Sequence, residues 1–120
     1  MNLCIAVPGL TAPQRSRLQT ALVAHTVTFC ADLPEAEKRT ALAAAHIVFG
    51  NVPATWLSAA AGLRWVQLES AGVDAYLALN TTPRATPVQV TNLAGFFDRA
   101  VAEAALAGIL AFYRQLPRLL

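Results

Sequence analysis

The sequence predicts an α/β fold in which a doubly wound parallel sheet of about five strands carries helices on both faces. Short apolar runs alternate with helical segments along the chain, which is the pattern of βαβ units. Charged residues make up only 13% of the chain, against about 25% in an ordinary domain. Strands buried on both faces explain part of this apolar excess. The length of 120 residues predicts one domain, 1–120.

The predicted strands are short runs of apolar residues that end at turn-forming residues. The first, Leu3–Val7, is closed by Pro8 and Gly9. The other four are His25–Phe29, His46–Phe49, Arg64–Leu68 and Val88–Thr91.

Helix signals lie between these strands. Thr11 is a candidate N-cap, with Pro13 in the first helical turn. Two further helices are predicted over Asp32–Ala45 and Pro53–Ala60, and Asn80–Pro87 is predicted to be a loop. A last helix, capped by Asp98 and reaching about Gln115, has a wide apolar face.

Right-handed crossovers between such strands give a flavodoxin-like layout. Ligands of these sheets bind beyond the carboxyl ends of the strands. That rule places Pro8-Gly9, Gly50-Asn51 and the segment Glu69–Asp74 on the functional edge.

Composition argues against several classes of protein. The longest weakly charged stretch, Ala100–Tyr113, is too short to cross a bilayer, and no signal peptide is recognisable. A net charge of +2 with scattered basic residues gives no nucleic-acid footprint, so we expect no nucleic-acid and no membrane partner. Cys4 and Cys30 lie in apolar runs and are expected to be buried free thiols, which favours a cytoplasmic location.

The most informative segment is Ser70-Ala71-Gly72-Val73-Asp74, where a buried strand runs into small residues. A glycine here lets the backbone approach a ligand closely, and consecutive amides can converge on an anion such as a carboxylate. The alternative is a plain strand-to-helix turn in which Gly72 serves a positive φ angle. The residues alone leave both interpretations open.

Two segments carry a family resemblance. Leu63–Asp74 is similar to the strand-and-loop signature of the D-isomer-specific 2-hydroxyacid dehydrogenases. Val90–Gly95, followed by Ala100–Glu103, resembles the second signature of the same family, although Ala104 stands where many members have histidine. The two signatures occur in order and at plausible spacing.

The resemblance implies the substrate-binding domain of an enzyme that moves hydride between NAD or NADP and a D-2-hydroxy or 2-keto acid. It implies that 98–120 leads to the hinge of a nucleotide-binding domain, before which this chain is cut off. The substrate carboxylate would be held by loop amides, with Phe96 nearby; the implied substrate-binding residues are Ser70, Ala71, Gly72, Val73 and Phe97.

No residue of the chain is expected to be catalytic, to bind the cofactor or to bind a metal. The spacing Gly-x-Gly-x-x-Gly of a dinucleotide site does not occur, so the chain alone is expected to be inactive. His25 and His46 begin predicted strands, at the edge opposite the site. The other candidates are expected to be surface, core or interface residues: Trp56, Trp65, Glu69, Asp74, Arg84, Arg99 and Glu103.

Two other classes of function were weighed. A stand-alone phospho-acceptor module would need acidic residues after the first and third strands, and the sequence has none there. A flavin-binding module would need a hydroxyl-rich phosphate loop, and Pro8–Gln14 is not one. A self-associating structural module agrees better with the apolar last helix. We therefore expect a homo-oligomer, such as a dimer, that forms through this helix.

Overall fold

The computed structural model describes residues 1–81 and 86–118 and contains five strands and four α-helices in the described part. The strands are β1 (Asn2–Ile5), β2 (Thr26–Phe29), β3 (Ile47–Phe49), β4 (Trp65–Gln67) and β5 (Gln89–Thr91). The helices are α1 (Ala12–Ala21), α2 (Glu35–Ala43), α3 (Ala54–Leu57) and α4 (Asp98–Tyr113), with 3₁₀ segments at Asp74–Asn80 and Leu116–Arg118.

The five strands form one sheet in the order β2-β1-β3-β4-β5, and every neighbouring pair is parallel. The predicted fold class is therefore confirmed. Because all strands run the same way, the loops that follow β1, β3, β4 and β5 emerge at one edge of the sheet.

One face of the sheet carries the core. Cys4, Val48 and Val66 lie side by side in register, and each is at most 1% exposed. They belong to one apolar cluster that includes Leu42 of α2 and Leu57 of α3. Helices α2 and α3 thus seal this face.

The alternation of side chains along each strand turns their neighbours to the other face. This second face carries Leu3, Ile5, Ile47, Phe49 and Trp65. Ile5 is 2% exposed, Leu3, Ile47 and Phe49 are half-buried, and Trp65 is 39% exposed. Helix α1 lies on this side, over β2, where the Arg15 guanidinium stacks 5.1 Å from the centre of the Phe29 ring. This face is therefore covered at β1 and β2 and less well covered towards β4.

Helix α4 is exposed along most of its length. Every residue from Asp98 to Leu110 is classed as exposed, including Val101 at 63% and Ile109 at 62%. An exposed helix this apolar is stable only if another surface covers it. Within the described part of the chain, no helix is both long and apolar enough to cross a membrane.

The predicted elements are confirmed, with ends that differ by at most three residues. The 3₁₀ helix Asp74–Asn80 was not predicted, and it packs through Tyr76 and Leu79, whose three-residue spacing matches its repeat. Asp98 was predicted to cap α4, but it is the first helical residue and Phe97 holds the cap position. Of the predicted loop Asn80–Pro87, residues 82–85 lie outside the described residues.

The expectation of two free thiols is wrong. Cys4 of β1 and Cys30, directly after β2, form a disulfide with their Cα atoms 6.1 Å apart. Cys30 follows Thr28, the register partner of Cys4, by two residues, so both cysteines point to the core face. The sequence analysis favoured a cytoplasmic location because it expected free thiols. The disulfide removes that argument.

Reducing the disulfide is expected to lower the free energy of unfolding by about 3.5 kcal/mol, because the bond closes a loop across a sequence separation of 26 residues. Urea denaturation with and without reductant measures the difference. A variant with both cysteines changed to serine provides the control, since its stability should not respond to reductant. A thiol titration of the native protein that finds two reactive cysteines would contradict the pairing.

Candidate functional site

Three loops meet at the carboxyl edge of the sheet, and the central one is the glycine loop, Ser70–Asp74, which follows β4. On one side, the loop after β3 forms hydrogen bonds with Glu69, the residue that precedes the glycine loop. The Asn51 side-chain carbonyl accepts a hydrogen bond from the Glu69 amide at 3.1 Å, and the Glu69 carboxylate accepts one from the Asn51 amide at 3.4 Å. This reciprocal pair fixes where the glycine loop begins.

On the other side the loop after β5 holds the glycine loop through its carbonyl groups. The Ser70 carbonyl accepts from the Leu93 amide at 3.1 Å, and the Ala71 carbonyl accepts from the Asn92 side-chain amide at 2.6 Å. The Gly72 carbonyl accepts from the Ser70 hydroxyl at 3.1 Å. Each of these three loop carbonyls therefore accepts a hydrogen bond from within the chain.

Three backbone N–H groups of the same loop are unpaired in the described chain. The N–H groups of Ala71, Gly72 and Val73 have no hydrogen-bond partner among residues 1–81 and 86–118. Ala71 and Gly72 are exposed, and Val73 is half-buried. A row of unpaired backbone donors on a loop whose carbonyls are occupied is suited to accept an anion.

Gly72 is not required by the local backbone. Its φ lies outside the positive region, so Gly72 does not serve the positive φ that the alternative interpretation of this turn assumed. A Cβ atom added at Gly72 would meet no atom within 4 Å. Neither conformation nor packing in the described chain calls for glycine here, which leaves room for a bound molecule beside the amides.

Tyr76 fastens the 3₁₀ helix after the glycine loop to the loop after β3. Its hydroxyl donates to the Val52 carbonyl at 2.6 Å and accepts from the Val52 amide at 3.1 Å. Both residues are buried. Burial raises the pKa of the Tyr76 hydroxyl, and its hydrogen bond to Val52 lowers that pKa by a smaller amount.

Changing Tyr76 to phenylalanine is expected to cost about 1–3 kcal/mol, because it leaves two buried backbone groups of Val52 without a partner. The raised pKa also predicts a pH dependence. The contribution of the hydroxyl to stability is complete below the unfolded pKa of 10.0 and is lost as the pH rises from there through the folded pKa. Urea denaturation at pH values below and above the folded pKa measures this effect. The free energy of unfolding should fall at alkaline pH in the parent, and Tyr76→Phe should lack this fall.

A groove of about 390 Å³ adjoins the glycine loop, and it shares Asn51 and Glu69 with the contacts described above. Lys38 lines it, while its ammonium donates to the Ala31 carbonyl at 2.9 Å. The remaining lining residues are mainly apolar: Ala6, Pro8, Ala31, Val52, Pro53 and Trp56. The groove is large enough for a small organic acid.

The predicted aromatic pair lies on the loop between β5 and α4. The Phe96 and Phe97 rings meet edge to face with their centres 4.8 Å apart, and Phe97 is 48% exposed. This loop is the one that Asn92 and Leu93 tie to the glycine loop. No contact from Phe97 to the glycine loop is seen in the described chain.

The histidines lie where the sequence predicts, at the amino edge of the sheet. His46 precedes β3, and its Nδ1 accepts a hydrogen bond from the Asn2 amide at 3.0 Å. His25 precedes β2, and its Nδ1 is buried without a partner in the described residues. Neither is near the glycine loop, because that loop leaves the opposite edge.

Structural partners account for three of the remaining candidates: Arg99, Glu103 and Trp56. Arg99 pairs with Glu103 at 2.8 Å on the solvent side of α4, and Trp56 packs against the core beneath the Arg39 guanidinium. Trp65 lies on the sheet face opposite the core cluster and is 39% exposed, and Asp74 is exposed at the start of its 3₁₀ helix. Arg84 lies outside the described residues.

The turn between β1 and α1 does not fit the phosphates of a nicotinamide dinucleotide. Sheets of this kind hold the cofactor phosphates in the turn between the first strand and helix. Here the turn is closed by its own side chains: Gln14 accepts from the Thr11 amide at 2.8 Å and from its hydroxyl at 2.9 Å. Nor do three or more His, Cys, Asp or Glu side chains of the described residues gather into a possible metal site.

The sequence analysis placed Asn51 on this edge without a partner, and it gave no individual role to Asn92 or Tyr76. The sequence does indicate that the two asparagines lie at this edge, because each follows a strand that ends there. The signal for Tyr76 was weaker, because its partner, Val52, is 24 residues away and contributes only backbone atoms.

Comparison with known proteins identifies the relationship. The chain is similar to the crystal structure of phosphoglycerate dehydrogenase from Lactobacillus plantarum, with 30% sequence identity and a TM-score of 0.58 over 93% of the chain. Phosphoglycerate dehydrogenase is a member of the D-2-hydroxyacid dehydrogenase family. The predicted resemblance to D-2-hydroxyacid dehydrogenases is confirmed.

The match covers 35% of the Lactobacillus enzyme, so the chain spans about a third of the length of that D-2-hydroxyacid dehydrogenase. No family model matches the chain, and none of the curated proteins does. The relationship therefore rests on the fold and on the 30% identity with this dehydrogenase.

Proposed function

We propose that this chain is the substrate-binding part of an NAD(P)-dependent oxidoreductase that acts on D-2-hydroxy acids or 2-keto acids. The observation that carries the proposal is the row of unpaired amides at Ala71, Gly72 and Val73, beside open space at Gly72. The similarity to phosphoglycerate dehydrogenase, whose name describes oxidation of a small carboxylic acid, supports it.

In this proposal the three amides hold the substrate carboxylate. Hydrogen bonds from N–H groups to an ionised oxygen are shorter and stronger than neutral ones, which suits the recognition of a small anion. The Ser70 hydroxyl and the Phe97 ring complete the set of proposed substrate contacts. The adjoining groove, with Lys38 in its wall, accommodates the remainder of the acid.

The chain binds and orients the substrate, and the chemistry belongs to residues outside it. The cofactor supplies hydride transfer when it is bound, and a nucleotide-binding domain reached through α4 would hold it. We propose that the intact enzyme is cytoplasmic, although the paired cysteines do not favour that location.

Saturation-transfer NMR on the purified chain tests the proposal. Glyoxylate and hydroxypyruvate should receive saturation from the protein, whereas glyoxylamide, which lacks the carboxylate, should not. Equal transfer to the acid and the amide would contradict the proposal. In parallel, the chain mixed with NADH and glyoxylate should not oxidise NADH, and turnover by the chain alone would overturn the assignment of catalysis to another domain.

A further inference from the structure

We propose that Lys38 determines substrate specificity by selecting 2-keto acids that carry a second carboxylate at the far end of the carbon chain. The inference rests on the proposed function, in which the glycine loop holds the first carboxylate. The groove beside that loop contains one cation, Lys38, and one carboxylate, Glu69, in a lining that is otherwise mainly apolar. The two charges are not paired, because the ion pairs of the described chain all join other residues.

The groove runs from the glycine loop across the ends of β3 and β1 towards β2. Glu69 directly precedes the glycine loop, and Asn51 and Ala6 follow β3 and β1. The carbonyl that Lys38 binds belongs to Ala31, which follows β2. In the sheet order β2-β1-β3-β4, the ends of β4 and β2 lie roughly 14 Å apart at a spacing of about 4.8 Å. Glyoxylate, with two carbons, is too short to reach from the loop to Lys38, whereas a longer acid extends along the groove.

The Lys38 ammonium is held in place and still has donors to offer. It donates to the Ala31 carbonyl at 2.9 Å. An ammonium has three N–H groups, and Lys38 has no other hydrogen-bond partner among residues 1–81 and 86–118. The side chain is half-buried, so water screens its charge less than it screens a fully exposed lysine. Two N–H groups with a fixed origin are suited to bind a carboxylate.

Carboxylates near Lys38 in the sequence are engaged by arginines. Asp32 pairs with Arg15, and Glu35 pairs with Arg39 at 2.8 Å. Lys38 is therefore left without an acidic partner in the described part of the chain, and its charge is available to a ligand.

Glu69 determines which end of the groove takes the second anion. Its carboxylate accepts from the Asn51 amide at 3.4 Å, beside the start of the glycine loop. It repels any further negative charge near the loop, so the favourable position for a second carboxylate is at Lys38. Between the two ends, the walls include the apolar side chains of Val52 and Trp56, which suit the methylene groups of an unbranched acid.

A ¹H–¹⁵N NMR titration of the chain with two five-carbon acids tests the inference. The acids are 2-ketoglutarate, which ends in a carboxylate, and 2-ketopentanoate, which ends in a methyl group. The first should bind roughly five- to tenfold more tightly, as expected of one charge-assisted contact to a half-exposed lysine. The backbone amides of Ala31 and Lys38 should shift with 2-ketoglutarate and stay unmoved with glyoxylate.

Matched variants assign the preference to one side chain. Lys38→Met should bind the two five-carbon acids equally and should bind glyoxylate as the parent does, which also shows that the variant is folded. Arg17→Met is the control, because it removes the same charge from an exposed position on α1, a helix that does not line the groove. It should keep the preference for 2-ketoglutarate.

The outcomes separate this inference from the proposed function. If glyoxylate shifts the loop amides but the two five-carbon acids bind equally to the parent, the role of Lys38 is overturned and the proposed function stands. A preference that persists in Lys38→Met, or one that Arg17→Met also abolishes, overturns the role of Lys38 as well. If none of the three acids shifts the loop amides, the proposed function fails and this inference fails with it.

Discussion

Replacing Gly50 with alanine is expected to lower the free energy of unfolding by about 2–6 kcal/mol, which is a large part of the stability of a small domain. Two costs add. Gly50 has a φ of +118°, a conformation that costs an L-residue about 1–3 kcal/mol. The new Cβ would lie 2.8 Å from the Ala6 carbonyl carbon, and such overpacking costs about 1–3 kcal/mol.

The neighbouring backbone cannot move away easily, because it is fixed by the sheet. The Gly50 amide donates to the Gln67 carbonyl at 2.9 Å, and the Ala6 amide donates to the Phe49 carbonyl at 2.7 Å. Urea denaturation measures the loss. Gly108→Ala on α4 is the control, since its Cβ meets no atom within 4 Å and should leave stability equal or higher. A Gly50→Ala protein as stable as the parent would contradict the packing of β1 against β3.

Replacing Gly72 with valine is expected to weaken binding of small 2-keto acids about 10- to 100-fold. The valine side chain would occupy the open space beside the loop amides and prevent a carboxylate from reaching one or two of them. Each hydrogen bond to a charged group is worth about 1.5–3 kcal/mol, and 1.4 kcal/mol corresponds to a factor of ten.

Stability separates this effect from simple unfolding. Because no atom of the described chain lies within 4 Å of a Cβ at Gly72, the valine variant should unfold within about 0.5 kcal/mol of the parent. Gly108→Ala again serves as the control and should bind glyoxylate as the parent does. Undiminished affinity in a folded Gly72→Val protein would show that the anion binds elsewhere.

Much of the architecture could be predicted from the sequence, because the core pattern is local. Apolar runs such as Ile47–Phe49 and the residues that end them define the strands, and parallel strands place their following loops at one edge. The position of the glycine loop follows from that rule alone.

Features that depend on distant partners could not be predicted. The pairing of Cys4 with Cys30 requires β1 and β2 to be neighbours in a specific register, which an apolar run does not encode. The bonds of Asn51 and Asn92 to the glycine loop depend in the same way on three loops meeting. The φ of Gly72 depends on how the loop is held, so the sequence could not decide between a turn and an anion site.

The central claim, that the glycine loop binds a carboxylate through its amides, is tested most directly by a ¹H–¹⁵N NMR titration of the chain with glyoxylate. The amide signals of Ala71, Gly72 and Val73 should shift together and saturate, with a dissociation constant on the order of 1 mM. Glyoxylamide should leave them unmoved. Saturable shifts confined to other residues, or no shift of these three amides at tens of millimolar acid, would contradict the claim.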